Sequence, residues 1–178
     1  MILPYPDPHL RGSDFELRPF RESDFESALD FSRDEATAPW VPPLPADDPS
    51  GVVELFEQYR SDGELLHLVI AEPASDAYLG ELMVVMCDHQ IGEFGCGVVQ
   101  GARRRGIATD ALRMFVRWSA ATLDIHRLQV LVATENTPAL LLAERVGFSR
   151  EGVLRAYWDD DGRRVDVVML SMLPAELV

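Results

Sequence analysis

The chain has 178 residues, 47% hydrophobic, 26% charged and 8% aromatic, a composition that can bury the core of one ordinary domain and excludes overall disorder. Thirty acidic residues stand against sixteen basic ones, all of them arginine, for a formal charge of −14. That balance excludes the basic stripe a nucleic-acid or anionic-membrane binder needs; it suits a cationic or amine-bearing partner and serves plain solubility as well. No run of 18 apolar residues occurs, so no membrane-spanning helix is expected. The N-terminal segment holds three prolines and early acids without an apolar stretch, so no secretory signal is expected either. Cys87 and Cys96 form neither a disulfide framework nor a metal-ligand spacing, and a reducing, cytoplasmic setting follows.

After an irregular arm over 1–13, a short alternating run at 15–19 predicts a strand. Ser23 and Asp24 offer caps for a helix through Phe31, with Phe25, Ala28 and Leu29 at core spacing. Four prolines make 38–45 an irregular loop. Asp47, Asp48 and Ser50 can cap a second helix over 51–61 that turns Val52, Val53, Leu55, Phe56 and Tyr59 inward. Three strand-like runs follow at 66–72, 78–86 and 92–99, separated by short turns, which predicts a meander. The strongest helical stripe lies at 107–123, and 127–133 reads as a strand buried on both faces. A short helix over 137–146 has Pro138 in its first turn and Gly147 as its stop, before a closing hairpin at 148–157 and 164–172. The order is β α α β β β α β α β β, an α+β (mixed α/β) sandwich.

The segment 97–110 carries the clearest chemistry. An apolar strand runs into a loop without bulk, and Arg103, Arg104, Arg105, Gly106, Ile107 and Ala108 open the strongest helix. Unpaired first-turn N–H groups and the positive end of the helix dipole then converge on one point, an anion site made mainly of backbone. Gly106 permits close approach and Ala108 keeps the next position small. Three arginines at a helix N-terminus run against the dipole preference for acids, which favours a bound phosphate or pyrophosphate over a merely solvated cap. A Walker loop needs lysine and the chain has none; the G-x-G-x-x-G fingerprint is absent here, since Gly95 and Gly97 lie inside the strand.

These residues resemble the GNAT superfamily of acetyl-CoA-dependent N-acetyltransferases, whose hallmark is Arg/Gln-x-x-Gly-x-Gly/Ala at a strand-to-helix junction. Arg103 through Ala108 match it. Leu17, Arg18, Pro19 and Phe20 followed by Ser23 and Asp24 are similar to the first strand and helix of the RimJ/RimL-like branch. Glu135 and Asn136, Glu144 through Phe148, and Glu151 through Arg155 resemble its second block, and Gly162 through Ser171 its last hairpin. The resemblance implies one GNAT domain over 1–178, with a mixed, mostly antiparallel, splayed sheet of about seven strands and about four helices. Acetyl-CoA would lie between the fourth and fifth strands. Main-chain groups around Val98 and Val99 would bond its pantetheine arm, N–H groups from Arg103 to Ala108 and on to Thr109 its pyrophosphate, and Asn136 the cofactor beyond the fifth strand. Asn136 also suits a helix cap. Gly95 and Gly97 interrupt an apolar strand as a bulge or close backbone approach would.

In the family a glutamate on or near the fourth strand often serves as base, and Glu93 is the matching residue; a half-exposed strand position is its plain alternative. Relatives often place a serine three residues after the asparagine to protonate the departing thiolate, but Ala139 stands there. Thr137 and Tyr157 remain as donors, and positioning with water as shuttle also works. His9, His67, His89 and His126 are scattered, and no metal site is expected. Cys96 reads as a strand cysteine rather than an acyl carrier. Trp40 and Trp158 suit either the wall of the acceptor pocket or ordinary packing.

The sequence therefore leads to a cytoplasmic N-acetyltransferase of the RimJ/RimL-like kind acting on a primary amine, either a protein N-terminus or a small molecule, with neither nucleic acid nor membrane as partner. The resemblance leaves a homodimer open. The rivals are a non-catalytic acyl-CoA-binding or regulatory module, motivated by Ala139, and a nucleotide binder using the arginine loop.

Overall fold

The computed structural model describes residues 2–160 and 162–177. From the N-terminus, a two-residue strand β1 (Leu10–Arg11) pairs with β2 (Glu16–Arg18). Helices α1 (Phe25–Arg33) and α2 (Pro49–Asp62) flank the proline-rich loop. The meander β3 (Leu65–Ala71), β4 (Tyr78–Cys87) and β5 (Ile91–Val98) follows, then α3 (Ile107–Thr122), β6 (Arg127–Ala133) and α4 (Thr137–Val146). The hairpin β7 (Ser149–Asp160) and β8 (Arg163–Met172) closes the chain. Among the described residues the sheet has eight strands in the order β1-β2-β3-β4-β5-β6-β8-β7, and its one parallel pairing is β5 with β6.

Local chemistry accounts for the helix ends. The Asp48 carboxylate accepts from the Gly51 N–H at 2.9 Å, and Pro49 fits the first turn of α2, where no N–H is needed. Asn136 caps α4 in the same way, and Gly147 ends it. The cap expected of Asp24 is different: its carboxylate is buried and bonds the Arg18 guanidinium at 2.8 and 2.9 Å and the Arg21 N–H at 2.8 Å.

Two apolar layers cover the sheet. On one face α3 and α4 bury Ile107, Ala111, Leu112, Phe115, Val116, Leu140 and Ala143 against Leu66, Leu68, Leu82, Phe94, Leu128 and Leu170. Phe94 meets Phe115 edge-on at 5.7 Å. On the other face Phe20, Phe25, Ala28 and Val52 pack on Val69 and Ala71. The coverage of that second face is partial, and it changes one expectation. Strand β6 is not buried on both faces: Leu128, Val130 and Val132 point into the core, whereas Arg127, Gln129 and Leu131 are half-buried on the open side.

Two further differences have physical causes. The arm over 1–13 contributes β1 and packs Leu3 into the core, although a two-residue strand has no periodicity to read. Strand β5 holds no bulge, since its register with β4 is regular from Cys87↔Ile91 to Gly80↔Val98. Gly97 instead admits the Phe31 ring, whose Cζ would sit 2.7 Å from any Cβ placed there.

Arg18 is 2% exposed and also bonds the Asp76 carboxylate at 2.7 Å, so it ties β2 and the start of α1 to the β3–β4 turn. Removing Asp24 leaves the buried Arg18 charge with the exposed Asp76 as its one remaining carboxylate partner. Asp24→Ala is therefore expected to cost about 3 kcal/mol or more of folding stability, read as a lowered urea midpoint with an unchanged slope.

Candidate active site

The site begins where β5 and β6 part. They pair only at Ile91↔Arg127, Gly92↔Leu128 and Glu93↔Gln129. Beyond that point β5 stays with β4 as far as Val98, and β6 stays with β8 as far as Ala133, so a wedge opens between them. The Val99 N–H crosses to the Leu79 carbonyl at 2.9 Å. By strand alternation the main-chain groups of Cys96 and Val98 then face the wedge, where no strand lies opposite. The Val98 carbonyl takes the Arg103 Nε at 3.3 Å. Both main-chain groups of Val99 are used inside the protein, the N–H by Leu79 and the carbonyl by the Ala102 N–H. Of the two valines, Val98 presents the free N–H.

The loop after β5 delivers the chain to α3. Gly106 occupies the N-cap with φ of 84°, and it has no side chain to cap the helix. The Asp110 N–H is the first to return to the helix, bonding the Gly106 carbonyl at 3.0 Å, so the amides of Ile107, Ala108 and Thr109 have no helical acceptor. Ile107 is buried and anchors this end to the core. Arg104 and Arg105 are exposed and, among the described residues, have no hydrogen-bonded or ionic partner. Arg103 is separate from them. Its N–H bonds the Gln100 carbonyl, and its guanidinium reaches Thr37 Oγ1 at 2.9 Å and Asp34 at 3.6 Å. A backbone cradle for an anion would therefore start at Arg104, and Arg103 fastens the loop to the end of α1. Thr37, its buried partner, lies too far away in sequence for any local pattern to show the contact.

At the far wall, Asn136 Oδ1 accepts from the Ala139 N–H at 3.2 Å, which leaves its amide NH2 for a ligand. Glu93 is half-buried at the vertex of the wedge and accepts from Gln129 Nε2 at 2.9 Å. Tyr157 is not beside it. It is 51% exposed in a bulge of β7 between Leu154↔Val167 and Trp158↔Val165, where the Ala156 N–H bonds Asp166 at 2.7 Å. Glu93 aligns through Gln129 with Ser171, and Val165 is six residues from Ser171 on β8. At strand spacing that separation is about 20 Å, so Glu93 and Tyr157 do not form one acid–base pair.

Sequence reasoning missed a buried polar cluster on the same sheet face. Tyr78 donates to Glu81 Oε2 at 2.9 Å, and His67 Nε2 lies 3.2 Å from the same oxygen. The His67 ring stacks on Phe56 at 4.1 Å, and its Nδ1 is buried without a partner. Burial, with the Glu81 charge and hydrogen bond, pushes the Tyr78 hydroxyl well above its ordinary range. The only signal was one polar residue inside each of two apolar runs. Burial and the Glu81 charge also push the Cys96 thiol up to about 12, which makes it an inert strand cysteine. Among the described residues no three His, Cys, Asp or Glu side chains are placed to hold a metal ion. Among the same residues no helix is long and apolar enough to cross a membrane.

Comparison with known proteins agrees with this architecture. The acetyltransferase (GNAT) domain family matches residues 14–149. An uncharacterized N-acetyltransferase, p20 of Bacillus licheniformis, is 27% identical over 127 residues, covering 70% of this chain and 71% of that protein. The spermidine N(1)-acetyltransferase of Vibrio cholerae is 27% identical over 125 residues, covering 69% of this chain and 72% of its own. Mycobacterium smegmatis RimJ, solved with CoA-disulfide, superposes with a TM-score of 0.80 at 25% identity, covering 92% of this chain and 83% of that one.

Gly106 gives the site a direct test, because a β-branched residue at φ of 84° is strained while an asparagine tolerates it. Gly106→Val is expected to lose about 1–2 kcal/mol of stability and to weaken CoA binding at least tenfold by calorimetry. Gly106→Asn should remain folded and bind more tightly than the valine variant. Equal affinity in all three proteins would remove the loop from the site.

Proposed function

This chain belongs to the GNAT family of acetyltransferases, and from that premise we propose that it carries an acetyl group from acetyl-CoA to a primary amine in a ternary complex. One observation carries the reading. The wedge, with the unpaired N–H groups of Cys96 and Val98 on its β5 edge, leads directly to the uncapped N-terminus of α3. An extended amide-bearing arm fits the strand edge as an extra strand would, and a pyrophosphate fits the amides from Arg104 to Thr109.

Acetyl-CoA supplies an activated thioester, and this chain's residues do the rest. The β5 edge and the loop hold the donor, while Asn136 offers its amide from the wall of β6 and α4. Glu93 takes a proton from the incoming ammonium, which leaves an amine able to attack. When the amide bond forms and the C–S bond breaks, the second amine proton leaves with the thiolate, carried by water. Ala139 has no hydroxyl to serve it, and Tyr157 is too distant from Glu93. The free thiols Cys87 and Cys96 suit the reducing cytoplasm.

The acceptor class follows from charge. A surface of formal charge −14 attracts cations, which fits a polyamine such as the substrate named for the Vibrio cholerae relative. A protein N-terminus bearing its ammonium meets the same requirement. Ala139 favours one second reading, a module that binds acyl-CoA without turnover.

Thermal unfolding with acetyl-CoA, CoA or ATP separates these readings. At a ligand concentration about a hundredfold above Kd, a native-state ligand adds about 2.7 kcal/mol, or roughly 5–10 °C for a chain of this size. Both CoA forms are expected to raise the midpoint and ATP to leave it unchanged. Acetylation of spermidine or of a peptide with a free α-amine, followed by mass spectrometry, then distinguishes the enzyme from a silent binder.

A further inference from the structure

Glu93 lies in a row that crosses five strands. Leu65, Val85, Glu93, Gln129 and Ser171 are successive cross-strand partners on β3, β4, β5, β6 and β8. The Glu93↔Gln129 pair is also the last between β5 and β6 before the wedge opens. The side chain most able to take a proton at the vertex is thus tied by the last available neighbour.

That neighbour is itself held. Gln129 Nε2 donates to Glu93 Oε2 at 2.9 Å, and Gln129 Oε1 accepts from Arg127 Nε at 3.3 Å. A guanidinium can only donate and a carboxylate only accept, so a single orientation of the Gln129 amide satisfies both. Arg127 is clamped in turn by Glu151, with contacts of 2.9 and 2.5 Å to the two carboxylate oxygens. Ser171 Oγ donates to Glu151 at 2.6 Å. The Arg127 hydrogen bond, then that from Ser171, holds the Glu151 carboxyl down at about 2, so the clamp stays charged.

We propose that Gln129 is a positioning residue for Glu93, with its own orientation set by Arg127, two residues earlier on β6, which Glu151 of β7 holds in turn. It occupies Glu93 Oε2 and fixes the carboxylate plane, so that Oε1 receives the proton of the acceptor ammonium. The inference rests on Glu93 acting as the base. A group held in place before the acceptor arrives needs no reorientation during the reaction, and small misplacements of such groups cost one to two orders of magnitude in rate.

A double-mutant cycle tests it, with acetyl-CoA as donor and spermidine and a peptide bearing a free α-amine as acceptor probes. Glu93→Gln is expected to lower kcat about a hundredfold. Gln129→Met keeps length and volume but removes the donor; it should lower kcat about tenfold, with KM for acetyl-CoA and the unfolding midpoint unchanged. The double variant should be no slower than Glu93→Gln alone. Losses that multiply, or an unchanged kcat in Gln129→Met, would overturn the positioning role while leaving Glu93 as base. An unchanged kcat in Glu93→Gln would remove the base itself, and acetylation of neither probe would remove the transfer reading beneath both.

A second readout needs no acceptor. In nitrogen-edited NMR spectra the two Gln129 amide protons should be inequivalent and slow to exchange, and Glu93→Ala should make them solvent-like. Solvent-like protons in the unaltered protein would overturn the proposal even if every variant folds poorly.

Discussion

Main-chain hydrogen bonding between β5 and β6 stops after the Glu93↔Gln129 pair, and the rest of the site depends on that break. A buried strand edge without partners is costly unless something else supplies donors and acceptors. Each strand remains anchored on its other side, β5 to β4 and β6 to β8, and the α3–α4 layer secures both from beneath. The sheet can therefore stay open at one seam without losing its core. Under the proposed function, an extended ligand with amides of its own would complete the seam from outside.

The same break orders the chemistry along one line. At the vertex, Glu93 and Gln129 close the narrow end. Midway, the edge of β5 is free at Cys96 and Val98. At the wide end, the chain turns through Arg104 and Gly106 and presents the first amides of α3. In the proposed reaction a thioester, an amide-bearing arm and a pyrophosphate would be met in that sequence by a base, a strand edge and a helix N-terminus. The contacts of Arg103 with Thr37 and Asp34 join the wide end to the end of α1.

Much of this was legible in the sequence where local chemistry determines structure. Asn136, Pro138 and Gly147 mark both ends of α4, and the stripe from Ala111 to Leu123 marks α3. The mixed sheet and the Arg103–Ala108 junction follow from pattern and resemblance together. Long-range partners decided the remainder. Arg103 reads as one of three equivalent cations until Thr37 claims it. Asp24 reads as a cap until Arg18 buries it. His67 and Glu81 are hidden in apolar runs because each finds the other across two strands. Tyr157 reads as a neighbour of the site until the β7 bulge carries it toward the far end of β8. Gln129 shows no motif at all, since its meaning lies in the register between β5 and β6.

The most direct measurement is amide hydrogen exchange at Cys96 and Val98, with and without acetyl-CoA. Both amides should exchange quickly in the free protein, slowly once acetyl-CoA is bound, and remain fast with ATP. The Val99 amide, already bonded to Leu79, should be slow in every condition. Protection of Cys96 and Val98 in the free protein, or exchange that acetyl-CoA leaves unchanged, would contradict an open seam completed by the donor.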